Sequence, residues 1–406
     1  MSLSILYISY DGMTDPLGQS QVLPYLAGLV RRGYHITLLS CEKAGRFEQH
    51  RPLIGSLCRE AGINWQPIPY RSSPPVISTI RDVRTLKEYA ESLYKNHQFD
   101  IVHCRSYISA LIGLWMKKKY GTRFVFDMRG FWADERVDGG LWKRSNPLYN
   151  TIYKWFKRKE RQFLEQADAV VSLTHAAKEE IQQWPLSVHK PVTVIPCCVD
   201  THLFTPANSG RAEQAALRQE LEIPESSPVL GYVGSLGTWY LLPEMLAFFK
   251  TWLRGQPGSI LLFVTMEPKE IIFAEAARQQ VDEARIRVVS AARDQMPAYI
   301  SLMDYGLFFL KQAFSKKASS PVKQGELMAM GIPVICNAGV GDSDRIIREY
   351  HAGVLVEEYS EAGYLKAIET LFATNFDPVA IRAGCLDYFD LEQGVSAYEG
   401  VYNYLQ

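Results

Sequence analysis

The feature that most constrains this chain is an alternation of short apolar runs with longer helical stretches, repeated in two successive series. Apolar runs of this length predict strands buried on both faces of a parallel sheet. The first series predicts strands at Leu3–Ser9, Ile36–Cys41, Ile101–Cys104, Phe124–Asp127, Ala169–Leu173 and Val192–Ile195. The second predicts strands at Val229–Val233, Ile260–Val264, Arg287–Ser290, Tyr305–Leu310, Pro333–Cys336 and Val354–Val356. Predicted helices separate them, at residues 20–32, 80–96, 107–120 and 149–166, then at about 242–254, 268–284, 295–303, 321–330 and 342–350.

Two series of strands and helices predict two domains. A chain of 406 residues is long for one core, and successive β-α units build doubly wound parallel sheets with helices on both faces. Residues 196–209 include two prolines and many polar residues, so we place the boundary there, with residues 1–198 in the first domain and 199–388 in the second. Ligands of such sheets bind beyond the carboxyl ends of the strands, and we expect the site in a central cleft that both domains face.

Charge is distributed unevenly along the chain. The formal net charge is zero, yet residues 1–200 carry 27 Lys and Arg against 19 Asp and Glu, a net of +8 that the remaining residues offset. A basic first domain is suited to an anionic membrane or an anionic acceptor. Scattered, solvated surface charge is the alternative interpretation.

Cysteine usage and hydropathy favour a cytoplasmic protein. The seven cysteines have no metal-ligand spacing, so we expect free thiols and no metal site. The N-terminus lacks the basic start of a signal peptide. The most apolar stretch, residues 107–116, is about half the ~20 residues that a membrane-spanning helix needs. Peripheral contact with the inner face of the membrane remains possible on charge grounds.

The segment FSKKASSPVKQGELMAMGIPVICN is the most informative. It predicts a helix capped by Ser319 or Ser320, with Pro321 at its first position, Lys323 in the first turn and Glu326 one turn later. A helix N-terminus favours an anion such as a diphosphate, and Lys323 adds a mobile charge. Glu326 can accept hydrogen bonds from a sugar diol, or it is an ordinary surface carboxylate.

Two glycine-containing turns offer further contacts to a phosphate or sugar. One holds Gly339, Val340, Gly341 and Asp342, where glycines let a ligand approach backbone amides. It is not the dinucleotide motif GxGxxG, because its third glycine position is aspartate. The other, after a predicted strand, holds Gly234, Ser235 and Gly237, and is followed by Trp239 and Tyr240, which either stack on a ring or pack in the core.

Polar residues also follow the predicted strands of the first half. The connection SYDGMTDPLGQSQ is interpreted as a flexible acceptor loop that contains Asp11, Gly12, Gly18 and Gln19. His103 and Arg105 come at the end of another strand and face the same expected cleft, although a lone histidine is more often structural. The loop FDMRGFWADERVDGG is dense in charge and includes Asp127, Arg129 and Glu135. Its alternative is a self-neutralising surface network.

A basic, aromatic helix segment, KWFKRKER, occupies residues 154–161. Such a segment is suited to an anionic membrane surface. A solvated helix face with a buried aromatic edge is the alternative.

These motifs resemble the family 4 retaining glycosyltransferases, which have the GT-B fold of two Rossmann-like domains. LVRRGYHITLLS, VIPCCVDTHLFTP and GELMAMGIPVI are similar to family segments in order and spacing. The resemblance implies a nucleotide-diphosphate-sugar donor held by the second domain, with Glu326 on the ribose hydroxyls and the loop 338–344 near the donor sugar. It also implies that residues 389–406 cross back to the first domain, and that neither a metal nor another cofactor is needed.

The chain departs from the family pattern at three places. Ala318 stands where the family often has a second glutamate, Ser235 and Tyr240 where it has Arg and Lys, and Arg129 where it has His. We therefore expect Lys323 and Lys311 to hold the diphosphate, as in a branch with a Ser-Pro-x-Lys segment. Asp127, Arg129, Glu135 and Lys323 are the predicted catalytic residues.

The predicted function is transfer of a sugar, with retention, to a saccharide or lipid-linked acceptor in surface polysaccharide or glycolipid assembly, without nucleic acid as a partner. Two alternatives stay open. One is a nucleotide-sugar epimerase on the same scaffold, and the other is an inactive binding or scaffold protein.

Overall fold

A computed structural model describes residues 3–406, which form two compact units. The first unit contains the residues up to Pro196 together with Leu391–Gln406, and the second contains Cys197–Asp390. No helix in the described part of the chain is both long and apolar enough to span a bilayer.

The first unit is built on a seven-stranded parallel sheet. Its strands run in the spatial order β3-β2-β1-β4-β5-β6-β7. Because right-handed crossovers in the two directions away from β1 place helices on opposite faces, both faces are covered, and strands β4 and β5 are almost wholly buried. The strands are β1 Ser4–Ser9, β2 His35–Glu42, β3 Asn64–Pro69, β4 Ile101–Arg105, β5 Arg123–Asp127, β6 Ala169–Ser172 and β7 Val192–Val194. The helices are α1 Pro16–Gln21, α2 Leu23–Arg31, α3 Ala44–Glu60, α4 Ile77–Asn96, α5 Ser106–Tyr120, α6 Trp132–Asp138, α7 Pro147–Gln166 and α8 His175–Gln182.

The second unit repeats this plan with six parallel strands, in the order β10-β9-β8-β11-β12-β13. Its core is continuous and contains Trp252, Phe248, Phe249 and Phe263, all fully buried. The strands are β8 Val229–Val233, β9 Ile260–Val264, β10 Ile286–Val289, β11 Tyr305–Phe308, β12 Val334–Asn337 and β13 Gly353–Val356. The helices are α9 Arg211–Glu220, α10 Leu242–Trp252, α11 Lys269–Gln279, α12 Met296–Ile300, α13 Val322–Ala329, α14 Ser343–Glu349, α15 Glu361–Ala373 and α16 Pro378–Tyr388, with short 3₁₀ turns at Pro206–Asn208, Glu283–Arg285 and Phe314–Ala318.

The final helix, α17 Leu391–Tyr404, lies with the first unit. Arg32, the C-cap residue of the neighbouring helix α2, forms ion pairs with Glu392 and Glu399. A Cβ added at Gly28 would lie 2.5 Å from a methyl of Val395, so glycine allows the two helices to approach closely. The second domain therefore ends near Asp390, two residues beyond the boundary expected from the sequence.

Three local predictions need correction. Strand β3 and helix α3 were not predicted, since NWQPIP is a half-polar edge segment with two prolines. The predicted single helix at 20–32 is two helices that meet at Val22, because Pro24 cannot donate to a continuous helical ladder. Residues 132–138, predicted as loop, form helix α6. Gly33, with φ of +93°, follows Arg32, the C-cap residue of α2.

Candidate functional site

Helix α13 begins immediately after Pro321, which is the N-cap residue rather than the first helical residue. Neither preceding serine caps the helix, so that prediction is wrong. Ser320 Oγ instead accepts a hydrogen bond from the Cys197 amide at 3.1 Å, and the Ser319 amide donates to the Lys316 carbonyl. The helix start is therefore held by the segment that opens the second unit.

The Lys323 side chain is enclosed by two tyrosine rings. Its Nζ lies 3.7 Å from the ring centroid of Tyr232 and 3.4 Å from that of Tyr240, and it has no hydrogen-bond partner in the described part of the chain. The side chain is buried, so the expected mobile charge is wrong. Burial lowers the pKa of Lys323 well below its ordinary value, and the nearby Glu326 carboxylate offsets this only in part. An ammonium stabilised by aromatic faces alone still lacks acceptors for its three N–H donors.

Glu326 lies one turn after Lys323 and is paired with an arginine that sequence reasoning missed. Arg293 Nη1 lies 3.0 Å from Glu326 Oε1, and the guanidinium also stacks over Phe204. Arg293 follows strand β10, so its place after a strand was the signal that could have identified it. Glu326 is 7% exposed, which excludes the alternative of an ordinary surface carboxylate.

The turn after strand β8 reaches the Lys323 ammonium. Gly234 has φ of +92°, and a Cβ added there would lie 3.8 Å from Lys323 Nζ. Ser235 Oγ donates to Glu267 at 2.8 Å, and Gly237 also has a positive φ. The Lys311 amide donates to the Trp239 carbonyl, which fixes this turn to the chain that leaves strand β11. The sequence left two roles open for Tyr240, stacking on a ligand ring or packing in the core. In the structure its ring packs on the Lys323 side chain.

In the glycine turn after strand β12, two backbone amides donate hydrogen bonds to other groups of the protein. The Gly339 amide donates to Asp344 Oδ1 at 2.9 Å, and the Gly341 amide donates to the Lys316 carbonyl. These two amides, expected to face a ligand, are therefore engaged in this conformation. The Val340 side chain is buried in the core, and the Asp342 carboxylate accepts from Tyr388 Oη at 2.7 Å.

The structure thus brings together Gly234, Lys323 and Glu326, with Tyr240 and Arg293 as additional members. Ser235 is directed to Glu267 instead, and Ser320 to the backbone of Cys197. The resulting cluster offers, at a helix start, a buried lysine amine that lacks a hydrogen-bond acceptor among the described residues, with a carboxylate one turn later. Such a cluster can bind a phosphate and an adjacent diol.

In the first unit, two predicted site residues are enclosed. His103 Nδ1 lies 2.7 Å from Tyr402 Oη, and Asp127 Oδ2 accepts from Tyr398 Oη at 2.8 Å. Both side chains are about 1% exposed, and the burial of His103 favours the alternative that a lone histidine is structural. Burial lowers the pKa of His103, which keeps the imidazole neutral at pH 7. Burial alone would raise the pKa of Asp127, but the Arg129 guanidinium and His103 outweigh it, and the carboxylate stays charged.

Arg105 and Arg129 lie at the carboxyl ends of the neighbouring strands β4 and β5. Arg105 is 3% exposed, and Arg129 adopts φ of +55°. Glu135 lies on the partly buried face of helix α6. Asp134, beside it, is buried and forms an ion pair with Lys157 at 2.8 Å, so its charge is neutralised but it does not belong to a surface network.

The first loop is anchored rather than flexible. The amides of Met13 and Thr14 donate to the buried Glu42 carboxylate at 2.8 and 3.1 Å. A Cβ added at Gly12 would lie 2.6 Å from Glu42 Oε2, so only glycine fits there. Gly18 packs against the Gly12 carbonyl in the same way, whereas Gln19 and Asp11 remain at the loop surface. Glu42, the last residue of strand β2, was not predicted, and its place at a strand end was the signal that could have identified it.

Two doubly wound parallel sheets with this site define the GT-B class of fold, as predicted. Sucrose-phosphate synthase from Thermosynechococcus elongatus matches with a TM-score of 0.72 and 16% identity over 99% of both chains. The Anabaena protein Alr3699/HepE, solved with UDP and glucose, matches with a TM-score of 0.71 and 14% identity over 99% of both chains. At these identities the likeness concerns the fold.

The sequence comparisons find similarity to glycosyltransferases over part of the chain. Residues 19–203 match the model of Glycosyltransferase Family 4, which confirms the resemblance predicted from the motifs. A D-inositol 3-phosphate glycosyltransferase from Segniliparus rotundus is 25% identical over 289 residues, covering 70% of this chain and 60% of that relative. The match thus spans less than two thirds of the relative's length.

Proposed function

We propose that this chain is a retaining glycosyltransferase that takes its sugar from a nucleotide-diphosphate-sugar donor bound by the second unit. The observation that carries the proposal is the Lys323 side chain, which is buried between two tyrosines one helical turn before a buried glutamate and has no hydrogen-bond acceptor among residues 3–406. A leaving diphosphate supplies the acceptors that the ammonium lacks.

The donor is held by groups of one unit. Lys323 and the start of helix α13 bind the diphosphate, with Lys311 as a second cation, and Glu326 binds the ribose hydroxyls. Gly234 leaves room for the phosphates, because no side chain there separates them from the ammonium. The turn that contains Gly339 and Gly341 lies beside the donor sugar in this proposal, although the amides of both glycines are engaged within the protein in this conformation.

The acceptor hydroxyl is oriented by the first unit. Asp127, Arg129 and Glu135 are the proposed catalytic and orienting residues there, with Asp127 fixed by Tyr398. The hydroxyl attacks the anomeric carbon on the face that the diphosphate leaves, so configuration is retained without a protein nucleophile. The hydroxyl proton passes to the departing diphosphate, whose charge Lys323 stabilises.

The relatives support this choice of donor and acceptor. Alr3699/HepE was solved with UDP, and the curated relative is named for transfer to an inositol phosphate. We therefore propose a uridine diphosphate sugar as the first donor to test, and a role in surface polysaccharide or glycolipid assembly.

We also propose that the protein is cytoplasmic and contacts the membrane peripherally through helix α7. Leu148 and Trp155 are exposed on this helix, 57% and 39%, and lie near the exposed Lys154 and Arg158. An apolar stripe beside basic residues is typical of helices that lie on anionic lipid.

A donor panel tests the proposed function. The expected result is a rise in melting temperature with one nucleotide diphosphate sugar, since a ligand at 100 times its Kd adds ~2.7 kcal/mol. A transferase releases nucleotide slowly by donor hydrolysis and rapidly with acceptor. An epimerase changes the sugar without acceptor, and an inactive scaffold does neither. Either of the last two results contradicts the proposal.

A further inference from the structure

Arg105 is a buried arginine with two unused guanidinium nitrogens. It is the last residue of strand β4, is 3% exposed, and its Nε and Nη1 atoms have no hydrogen-bond partner among residues 3–406. Its nearest carboxylate oxygen, Asp11 Oδ2, lies 3.6 Å from Nε, which is too long for a hydrogen bond. A guanidinium N–H that is removed from water and makes no hydrogen bond costs free energy. An acceptor from outside the chain would therefore bind favourably at this position.

The backbone at Arg105 adds a second attraction for anions. Arg105 is the N-cap residue of helix α5, a helix of 15 residues with no acidic residue in its first turn. Free amides and the positive end of the helix dipole therefore face no carboxylate of their own helix. Ser106 has φ of +66°, a left-handed conformation that is unfavourable for serine and is often found at binding sites.

The surrounding charges select the kind of ligand. Arg129, at the end of the adjacent strand, has a second buried guanidinium, and its Nη1 lies 3.9 Å from Asp127 Oδ1. Asp127 is already hydrogen-bonded to Tyr398, and burial keeps His103 neutral. Asp11 is the competing carboxylate, and its side chain is 48% exposed, so it can move towards solvent.

We propose that Arg105 and the start of helix α5 bind a compact oxyanion, a phosphate monoester or a carboxylate, carried by the acceptor. This inference rests on the proposed function, because it assigns the chemical class of the acceptor to the first unit. It also gives the basic charge of residues 1–200 a specific ligand, in addition to any lipid surface.

Calorimetric titration of the whole chain tests the inference. The probes are myo-inositol 1-phosphate against myo-inositol, glucuronate against glucose, and vesicles with or without phosphatidylinositol. We expect one anionic probe to bind, and Arg105→Gln to weaken it roughly ten- to a hundred-fold, since a hydrogen bond to a charged group is lost. Asp11→Asn should strengthen binding of the same probe. Arg123→Gln is the matched control, because Arg123 is exposed at the opposite end of strand β5.

Each outcome decides the inference. Preference for the free phosphate, the carboxylate or the anionic vesicle identifies the source of the oxyanion, provided that Arg105→Gln weakens binding of that probe and Asp11→Asn strengthens it. Equal binding by wild type and Arg105→Gln, or no anionic probe bound at all, overturns it. Donor binding is titrated on the same samples, and its absence would refute the proposed function while leaving the anion result intact. Arg105→Lys keeps the charge and serves if Arg105→Gln fails to fold.

Discussion

Replacing Lys323 by methionine should make the protein more stable and less active. An ammonium taken out of water costs several kcal/mol, and two aromatic faces return about 2 kcal/mol each when desolvated. Lys323 lies 3.7 and 3.4 Å from its two ring centroids and makes no hydrogen bond. We therefore expect Lys323→Met to add on the order of 1 kcal/mol, which raises the melting temperature by ~2–4 °C for a domain of this size.

The same substitution should remove donor chemistry. Without the ammonium, the leaving diphosphate loses an electrostatic contact, which costs ~10²-fold or more in turnover. Thermal scanning with and without uridine diphosphate glucose measures both effects, since the ligand-induced shift should disappear while the starting temperature rises. Lys366→Met, at a lysine 75% exposed on helix α15, is the control and should change neither value.

The gain in stability should depend on pH. Because burial lowers the pKa of Lys323, the folded chain binds fewer protons than the unfolded chain between the lowered value and ~10.4. Wild-type stability therefore rises with pH across that window, and the advantage of Lys323→Met should fall to zero above it. A fall in melting temperature at neutral pH, or turnover within about threefold of wild type, would refute the reasoning.

Three further predictions concern other parts of the chain. Tyr240→Phe should keep donor affinity and Tyr240→Leu should reduce it about tenfold in calorimetry, because only the ring face stabilises the ammonium. Burial raises the pKa of Glu160 to about 7, so wild-type stability falls as pH rises from ~4.3 to about 7. The free energy of unfolding of Glu160→Gln, measured with urea, should rise relative to that of wild type across that range. Parallel plots of this free energy against pH for the two proteins would contradict the prediction. Gly18→Ala should lower the melting temperature, since its Cβ would lie 2.4 Å from a backbone oxygen, whereas Gly45→Ala meets no atom within 4 Å and should not.

The fold was predictable where burial on both faces leaves a simple record in the sequence. Strands β4, β5, β8 and β9 are apolar runs because helices cover both sides of each. Strand β3 is at the edge of its sheet, so its residues are half-polar and resemble a loop. Central strands are predicted from apolar runs because both of their faces are buried. Edge strands lack such runs because they are only partly buried, so the same criterion does not identify them.

The sequence predicted which site residues lie close together on one helix, but not which residues distant in sequence contact them. The spacing of Lys323 and Glu326 on one helix followed from the motif. Arg293 is 33 residues from its partner Glu326, and only the sheet topology brings the two together. The prediction that Lys323 is mobile was wrong because the rings of Tyr232 and Tyr240 enclose it. These tyrosines lie on a strand and a turn whose positions relative to helix α13 cannot be read from the sequence.

The departures from the family pattern are physically coupled. The resemblance implies that a lysine usually follows the turn at Gly234, where this chain has Tyr240. A second ammonium at that position would lie within a few ångströms of Lys323, in surroundings too poor in water to screen the repulsion. A tyrosine there instead supplies a ring face for a cation that has moved from the turn to helix α13. The absence of a lysine at position 240 and the presence of Lys323 therefore depend on each other. One lysine stays beside the Gly234 turn, but helix α13 carries it instead of the turn.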